Sequence, residues 1–196
     1  LAIVLLNNPK VCHYAHIPLQ SGSDAILKKM RRQHNMEQYM TVIEQLRSKD
    51  PYYAISTDVI CGFVGETDED FEQTIKAFEA CQFDTAYMFI YSPRKGTESF
   101  NEAEILTPEE KSARHSRLVE LQNAITLKRN QMMIGRTEEI LVEHGSTRDK
   151  TELVGKTDNF KKVIFKPEEG RIIKPGDYVK VKIDDIRGWT LRGTLV

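Results

Sequence analysis

The chain has 196 residues, with 28 Lys and Arg against 29 Asp and Glu, 40% hydrophobic and 29% charged. That balance fits a folded chain of one or two domains and excludes a collagen-like, low-complexity or globally disordered polypeptide. The longest apolar run, Leu1 to Leu6, is far short of the ~20 residues that span a bilayer, and no secretory signal pattern is present, so a cytoplasmic chain without a membrane partner is expected. The first residue is Leu rather than Met, so the chain is expected to be processed or part of a longer protein.

Val11 to Leu19 reads as a strand, broken by Pro18 and followed by the turn residues Ser21, Gly22 and Ser23. Asn35 is a good N-cap for a helix from about Met36 to Lys49, whose Met36, Tyr39, Met40, Ile43 and Leu46 recur at helical spacing. Ala54 to Phe63 is a second strand, rich in β-branched residues. Thr67-Asp68-Glu69-Asp70 is a capping-box start for a helix with Phe71, Ile75 and Phe78 on one face. Thr85 to Tyr91 is a third strand, and Ser92 to Thr97 a loop. This β-α-β-α-β rhythm implies a parallel sheet. Such sheets need both faces covered, so further strands are expected upstream of these three. Thr107-Pro108-Glu109-Glu110 starts a helix running to about Ile134 and stopped by Gly135.

From Arg136 the pattern changes to five short strands in about 60 residues: Thr137–His144, Thr151–Lys156, Lys161–Lys166, Tyr178–Ile186 and Trp189–Val196. They predict a small antiparallel barrel. Charge changes at the same place. Residues 1–106 carry ten basic and fifteen acidic residues, and the remainder is net basic, a weak pointer to a polyanionic partner.

Three glycine- and serine-bearing loops follow the three parallel strands. They hold Gln20 to Ser23, Gly62 to Glu66, and Tyr91 to Thr97. Sites in barrel-type parallel folds lie at this end of the strands, where small residues let backbone approach a ligand; tight turns alone would use the same residues. Cys12, Cys61 and Cys81 are far apart, and neither they nor His13, His16, His34, His115 and His144 show metal-ligand spacing. They read as packed thiols in a reducing compartment, and His16 as a packed strand residue. In the last 60 residues Tyr178, Lys180 and Lys182 alternate onto one face, Lys162 and Lys166 alternate on another strand, and Trp189 lies in the next. Lysines neutralise phosphates and aromatics stack unpaired bases; lysines also blunt strand edges.

His16-Ile17-Pro18-Leu19-Gln20-Ser21-Gly22-Ser23 resembles the fourth-strand motif of radical S-adenosylmethionine (SAM) methylthiotransferases. Ser56-Thr57-Asp58-Val59-Ile60-Cys61-Gly62-Phe63-Val64-Gly65-Glu66-Thr67 resembles their fifth-strand motif, and Tyr91-Ser92-Pro93-Arg94-Lys95-Gly96-Thr97 the sixth. The last 60 residues resemble the TRAM domain that ends these proteins. The fold implied is α/β: the C-terminal half of a partial (β/α)6 radical-SAM barrel over residues 1–106, a connecting helix over 107–135, and an OB-like TRAM barrel over 136–196. Leu153-Val154-Gly155-Lys156-Thr157, Asn159 and the ending Trp189-Thr190-Leu191-Arg192-Gly193 are most similar to the tRNA branch. That branch adds a 2-methylthio group to N6-isopentenyladenosine next to the anticodon. The branches acting on threonylcarbamoyl-adenosine or on a ribosomal-protein aspartate are alternatives, as is a non-catalytic RNA-binding module.

The resemblance implies SAM and two [4Fe–4S] clusters in the whole protein, one of them held by a Cys-x-x-x-Cys-x-x-Cys motif. That spacing is absent here, so no catalytic or metal-ligating residue is assigned, and the chain alone is expected to assemble no cluster and to be inactive. By family position Ile60, Gly62 and Phe63 lie against the SAM adenine, and Gln20 and Ser21 near the ribose or substrate. Ser92 and Arg94 stand at the sixth-strand rim, where Arg94 meets a SAM carboxylate or an RNA phosphate. Val64 stands where relatives usually have Pro. Asp58 reads equally as an inward-facing polar group or a backbone partner, and Lys95 as solvated surface. The implied partner is a tRNA anticodon stem-loop, bound through Lys162, Lys166, Tyr178, Lys180, Lys182 and Trp189; the sulfur donor is not indicated.

Overall fold

The structure, a computed structural model, describes residues 2–168 and 170–196. Its elements are α1 (Ala2–Asn7), β1 (Tyr14–His16), α2 (Asp24–Lys29), α3 (Met36–Lys49), β2 (Ala54–Cys61), α4 (Asp68–Cys81), β3 (Thr85–Ile90), a 3-10 turn (Glu98–Asn101), α5 (Pro108–Gln131), β4 (Thr137–Gly145), β5 (Leu153–Thr157), β6 (Lys162–Lys166), β7 (Tyr178–Arg187) and β8 (Thr190–Leu195). They divide into two compact units. The α/β unit is Ala15–Pro51 with Ile55–Thr126; the barrel unit is Leu127–Val196 with the segment ending at Tyr14 and with Tyr52–Ala54.

In the α/β unit the strand order is β1-β2-β3. Strands β2 and β3 run parallel with Asp58 opposite Tyr87 and Ile60 opposite Phe89. Alternation then sends Thr57, Val59 and Cys61 to the buried face and Asp58 and Ile60 to the other. The buried face meets α3 through Tyr39, Ile43 and Leu46 and α4 through Phe71, Ile75 and Phe78, all buried. Among the described residues the opposite face is largely uncovered, leaving Tyr87 and Phe89 about half exposed. Helix starts follow the sequence. Asn35 and Gln38 make a capping box on α3, Thr67 and Asp70 another on α4, and Thr107 and Glu110 exchange backbone and side-chain bonds at the start of α5.

Several details of the elements differ from the sequence reading. The first strand is only Tyr14–His16, because Pro18 lacks an N–H and Gln20 adopts a left-handed backbone (φ 70°); one bridge, Gln20 to Val59, continues the pairing. A helix, α2, follows Ser23, whose hydroxyl accepts from the Ile26 N–H as N-cap. Helix α5 ends at Gln131 rather than Ile134.

The second unit is a closed barrel in the order β4-β5-β6-β8-β7. It is not wholly antiparallel: β6 and β8 run parallel. Ile140, Val142, Val163, Phe165, Val179, Val181, Ile183, Leu191 and Leu195 fill it. Irregularities at Val142/His144 and Ile183/Asp185 bend β4 and β7 around that core. Gly155 and Gly193 let strands approach closely: a Cβ at Gly155 would collide with the Leu141 carbonyl, and one at Gly193 with that of Lys182.

Candidate functional site

The loops after β1, β2 and β3 converge, together with the end of α2, on one cleft of about 1130 Å³ in the α/β unit. Its apolar lining is Ile60, Phe63, Phe89, Ile90 and Tyr91, of which Phe63 and Tyr91 are buried and form the floor while Phe89 and Ile90 are partly exposed. Phe63 and Tyr91 meet edge to face at 4.8 Å, and Val64 and Ile26 pack behind them. Gln20, Asp58, Ser92 and Arg94 supply polar groups to the walls. Of the residues that the sequence assigned to cofactor binding, Gln20, Ile60, Phe63, Ser92 and Arg94 line this cleft, while Ser21 and Gly62 do not.

Ser21 and its neighbours instead hold the wall. Ser21 is fully buried and its hydroxyl accepts from the Ser23 N–H. The Gly22 N–H donates to Thr74 Oγ1 at 2.9 Å, and a Cβ on Gly22 would lie 2.5 Å from the Gln73 carbonyl oxygen. Ser23 Oγ donates to Asp70 Oδ1 at 2.5 Å. Burial pushes the Asp70 carboxyl up, but hydrogen bonds from Ser23 and Thr67 outweigh it and leave it below the usual carboxylate range. Gln20 is fixed by its backbone: its N–H donates to the Asp58 carbonyl and its carbonyl accepts from the Ile60 N–H.

The loop after β2 has its own clamp. Gly62 and Gly65 take left-handed conformations that Gly adopts without strain. Between them the chain turns so that the Gly62 N–H donates to Glu66 Oε2 at 2.8 Å. Arg114 of α5 donates to the same carboxylate oxygen at 2.7 Å and to Asp68 at 2.6 Å. Glu66 is 1% exposed. Burial raises its carboxyl, opposed by the Gly62 and Arg114 hydrogen bonds. The sequence singled out Glu66 only as a loop residue and missed Arg114, since nothing local pairs positions 48 apart.

His16 is not packed as expected. Its ring is partly exposed beside β2, with Nδ1 2.8 Å from Ser56 Oγ and Nε2 3.3 Å from Asp58 Oδ2. Asp58 therefore faces inward and lines the cleft. Lys95 is exposed on the loop after β3.

On the barrel unit, Tyr178, Lys180 and Lys182 all point outward along β7. Register places Lys182 opposite Thr194 on β8, and Thr194 opposite Lys166 on β6, so the two lysines flank one outward row. Lys162 lies at the other end of β6 opposite Lys156. Lys180 sits opposite Glu139, which tempers its field. The Trp189 ring is exposed in the β7–β8 turn while its carbonyl accepts from Asn130.

Residues 3–78 match the radical SAM superfamily and residues 131–196 the TRAM domain. In fold the chain is similar to the coproporphyrinogen III oxidase HemN from Escherichia coli, a radical SAM enzyme (TM-score 0.50, 11% identity, 87% of this chain and 41% of that one). The likeness to the radical SAM superfamily is thus carried by residues 3–78 and that to the TRAM domain by residues 131–196, which include the closed barrel. Over nearly its whole length it is similar to proteins named tRNA-2-methylthio-N(6)-dimethylallyladenosine synthase. It is 43% identical to one from Thermoanaerobacter sp. (strain X514) over 95% of this chain and 39% of that protein. It is 40% identical to one from Carboxydothermus hydrogenoformans over 98% of this chain and 43% of that protein. The chain spans about two-fifths of the length of these relatives.

The donor set of the cleft fits SAM: an apolar, aromatic floor for an adenine, an amide at Gln20, a hydroxyl at Ser92 and a guanidinium at Arg94 for a carboxylate. The thiols do not fit an iron–sulfur cluster, which binds thiolates. Burial pushes Cys61 up to about 11 and Cys81 up to about 12. Cys12, in the other unit, is exposed rather than packed as the sequence suggested, though partial desolvation and Asp158 still raise it. Among the described residues no helix is long and apolar enough to cross a membrane.

Proposed function

We propose that this chain forms the later strands of the SAM-binding barrel and the RNA-binding domain of a tRNA methylthiotransferase, which adds a 2-methylthio group to N6-isopentenyladenosine next to the anticodon. The observation that carries the reading is the convergence of three loops, far apart in sequence, on one cleft in a chain similar to enzymes of that name over 95–98% of its length. Residues 1–106 act as the barrel part, 107–135 as the connecting helix and 136–196 as TRAM. In the whole protein SAM works with two [4Fe–4S] clusters held by residues outside this chain, and the enzyme acts in the cytoplasm on a tRNA anticodon stem-loop.

When bound beside its cluster, SAM supplies the oxidising radical for the reaction. The residues here bind and orient. Ile60 and Phe63 give the adenine an apolar bed. Gln20, fixed through its backbone, offers an amide, and Ser92 and Arg94 hold polar ends of the cofactor at the rim. Ser21 and Gly62 act one layer back, by holding the loop backbones in place. On the barrel Lys162, Lys166, Lys180 and Lys182 neutralise phosphates, while Tyr178 and Trp189 offer faces for unpaired bases.

Two measurements test this reading. Lys180→Glu with Lys182→Glu is expected to weaken binding of an anticodon stem-loop RNA and flatten its salt dependence; unchanged binding removes the basic face from the account. The purified chain, incubated anaerobically with iron and sulfide, is expected to retain neither; stoichiometric iron and sulfide would overturn the placement of the cluster ligands.

A further inference from the structure

The cleft's exposed edge differs in chemistry from its apolar lining. Lys28, Lys29, Arg31, Arg32 and Arg94 line it, against the carboxylates Asp58, Glu98 and Glu102. Lys29 leans away, its amine over Gly65 and within the field of Asp70. Lys28, Arg32 and Arg94 are exposed, and Arg31 reaches Glu98 on the 3-10 turn, both largely exposed.

How α2 ends accounts for this concentration. The Arg32 N–H donates to the Leu27 carbonyl and the Arg31 N–H to that of Lys28, which closes the helix in the manner of a Schellman turn. That closure puts Arg31 in the left-handed region, φ 56°, where Gly is the unstrained choice. A strained non-glycine at a cleft mouth points to a role for its side chain. Here the side chain is a guanidinium beside two further cations, above a lining of aromatic and aliphatic groups.

Cations at the rim and stacking surface below are complementary to one ligand chemistry: a nucleotide within a strand, its base lowered into the cleft and its flanking phosphates left at the mouth. We propose that Lys28, Arg31 and Arg32 at the end of α2 form a phosphate-binding rim that grips the RNA backbone beside the base entering the cleft. Glu98 then occupies the place of a phosphate on Arg31 until RNA displaces it. This rests on the reading of the chain as part of an RNA-modifying enzyme, and assigns to the α/β unit a share of RNA binding separate from that of the barrel.

The test uses this chain and a labelled single-stranded anticodon-loop RNA, with affinity measured by anisotropy across a salt series. Lys28→Gln with Arg32→Gln is expected to weaken binding at least tenfold at 0.1 M salt. It is expected to reduce the slope of log affinity against log salt by about 1.4, two contacts at ~0.7 each for single strands. Arg31→Gly is expected to weaken binding without lowering the melting temperature, since Gly suits that backbone. Glu98→Gln, which removes the competing carboxylate, is expected to tighten binding, an outcome no structural role for the pair produces. Unchanged affinity in the lysine–arginine variant, or weaker binding in Glu98→Gln, overturns the proposal. So does a variant that retains RNA but loses SAM in equilibrium dialysis, which gives the rim to the cofactor carboxylate. Loss of binding in Lys180→Glu with Lys182→Glu, alongside unchanged binding in the rim variants, would sink the rim and leave the barrel's role standing. The reverse pattern would do the opposite.

Discussion

Removing the Arg114 guanidinium tests whether the loop after β2 is held by charge or only by packing. In Arg114→Met the side-chain bulk stays, but Glu66, 1% exposed, loses its ion pair and keeps only the Gly62 N–H. Stripping one partner from a buried pair costs about 3–5 kcal/mol, because the remaining charge is left without compensation. Adding Glu66→Gln removes that charge while keeping an acceptor for Gly62, and is expected to recover at least ~2 kcal/mol of the loss. The pH dependence has a definite sign. Burial raises the Glu66 carboxyl in the folded chain, and losing Arg114 raises it further, so the folded state of the variant takes up a proton more readily than the unfolded chain. Its stability therefore improves, relative to wild type, as pH falls from 7.5 to 5. Urea unfolding of the four members of the cycle at both pH values measures this. A penalty under about 1 kcal/mol for Arg114→Met, or a double variant less stable than the single one, would refute the clamp.

Other expectations follow from the same structure. Gly22→Ala places a Cβ 2.5 Å from the Gln73 carbonyl oxygen and Thr74 Cα and is expected to lower stability by about 1–3 kcal/mol, seen as a fall in melting temperature; no fall would show that the loop relaxes freely. With Asp70 held below its ordinary value of 3.8, its contribution is present above that pH and lost as pH falls through the lower folded value, so Asp70→Asn should flatten the acid limb of a pH–stability curve. At pH 8 a thiol reagent should label exposed Cys12 in the native chain and reach Cys61 and Cys81, raised to about 11 and 12, only on unfolding; rapid labelling of all three would contradict their burial.

Much of the architecture was legible because its signals are local. The capping residues Asn35, Thr67 and Thr107 each mark a real helix start, and the alternation from Tyr178 to Ile183 matches an inside and an outside of the barrel. Helix α2 was missed although Ser23 caps it, because its six residues are too short for an apolar period to register. The parallel pairing of β6 with β8 was also missed, since register between non-adjacent strands leaves no mark in either one. The three loops were visible as motifs, but what separates cleft lining from support was not. Gln20 and Phe63 face the ligand space, whereas Ser21 and Gly62 turn their groups to Ser23 and Glu66. That division depends on partners such as Arg114 and Thr74, about 50 residues away.

The most direct measurement is nucleoside mass spectrometry of tRNA from a strain that makes N6-isopentenyladenosine but cannot methylthiolate it, complemented with the complete gene encoding this chain. The expected result is appearance of the 2-methylthio derivative, and its loss when the floor residue Phe63 is replaced by Asp. Unchanged N6-isopentenyladenosine with a folded, cluster-loaded protein, or methylthiolation of a different adenosine, would contradict the account.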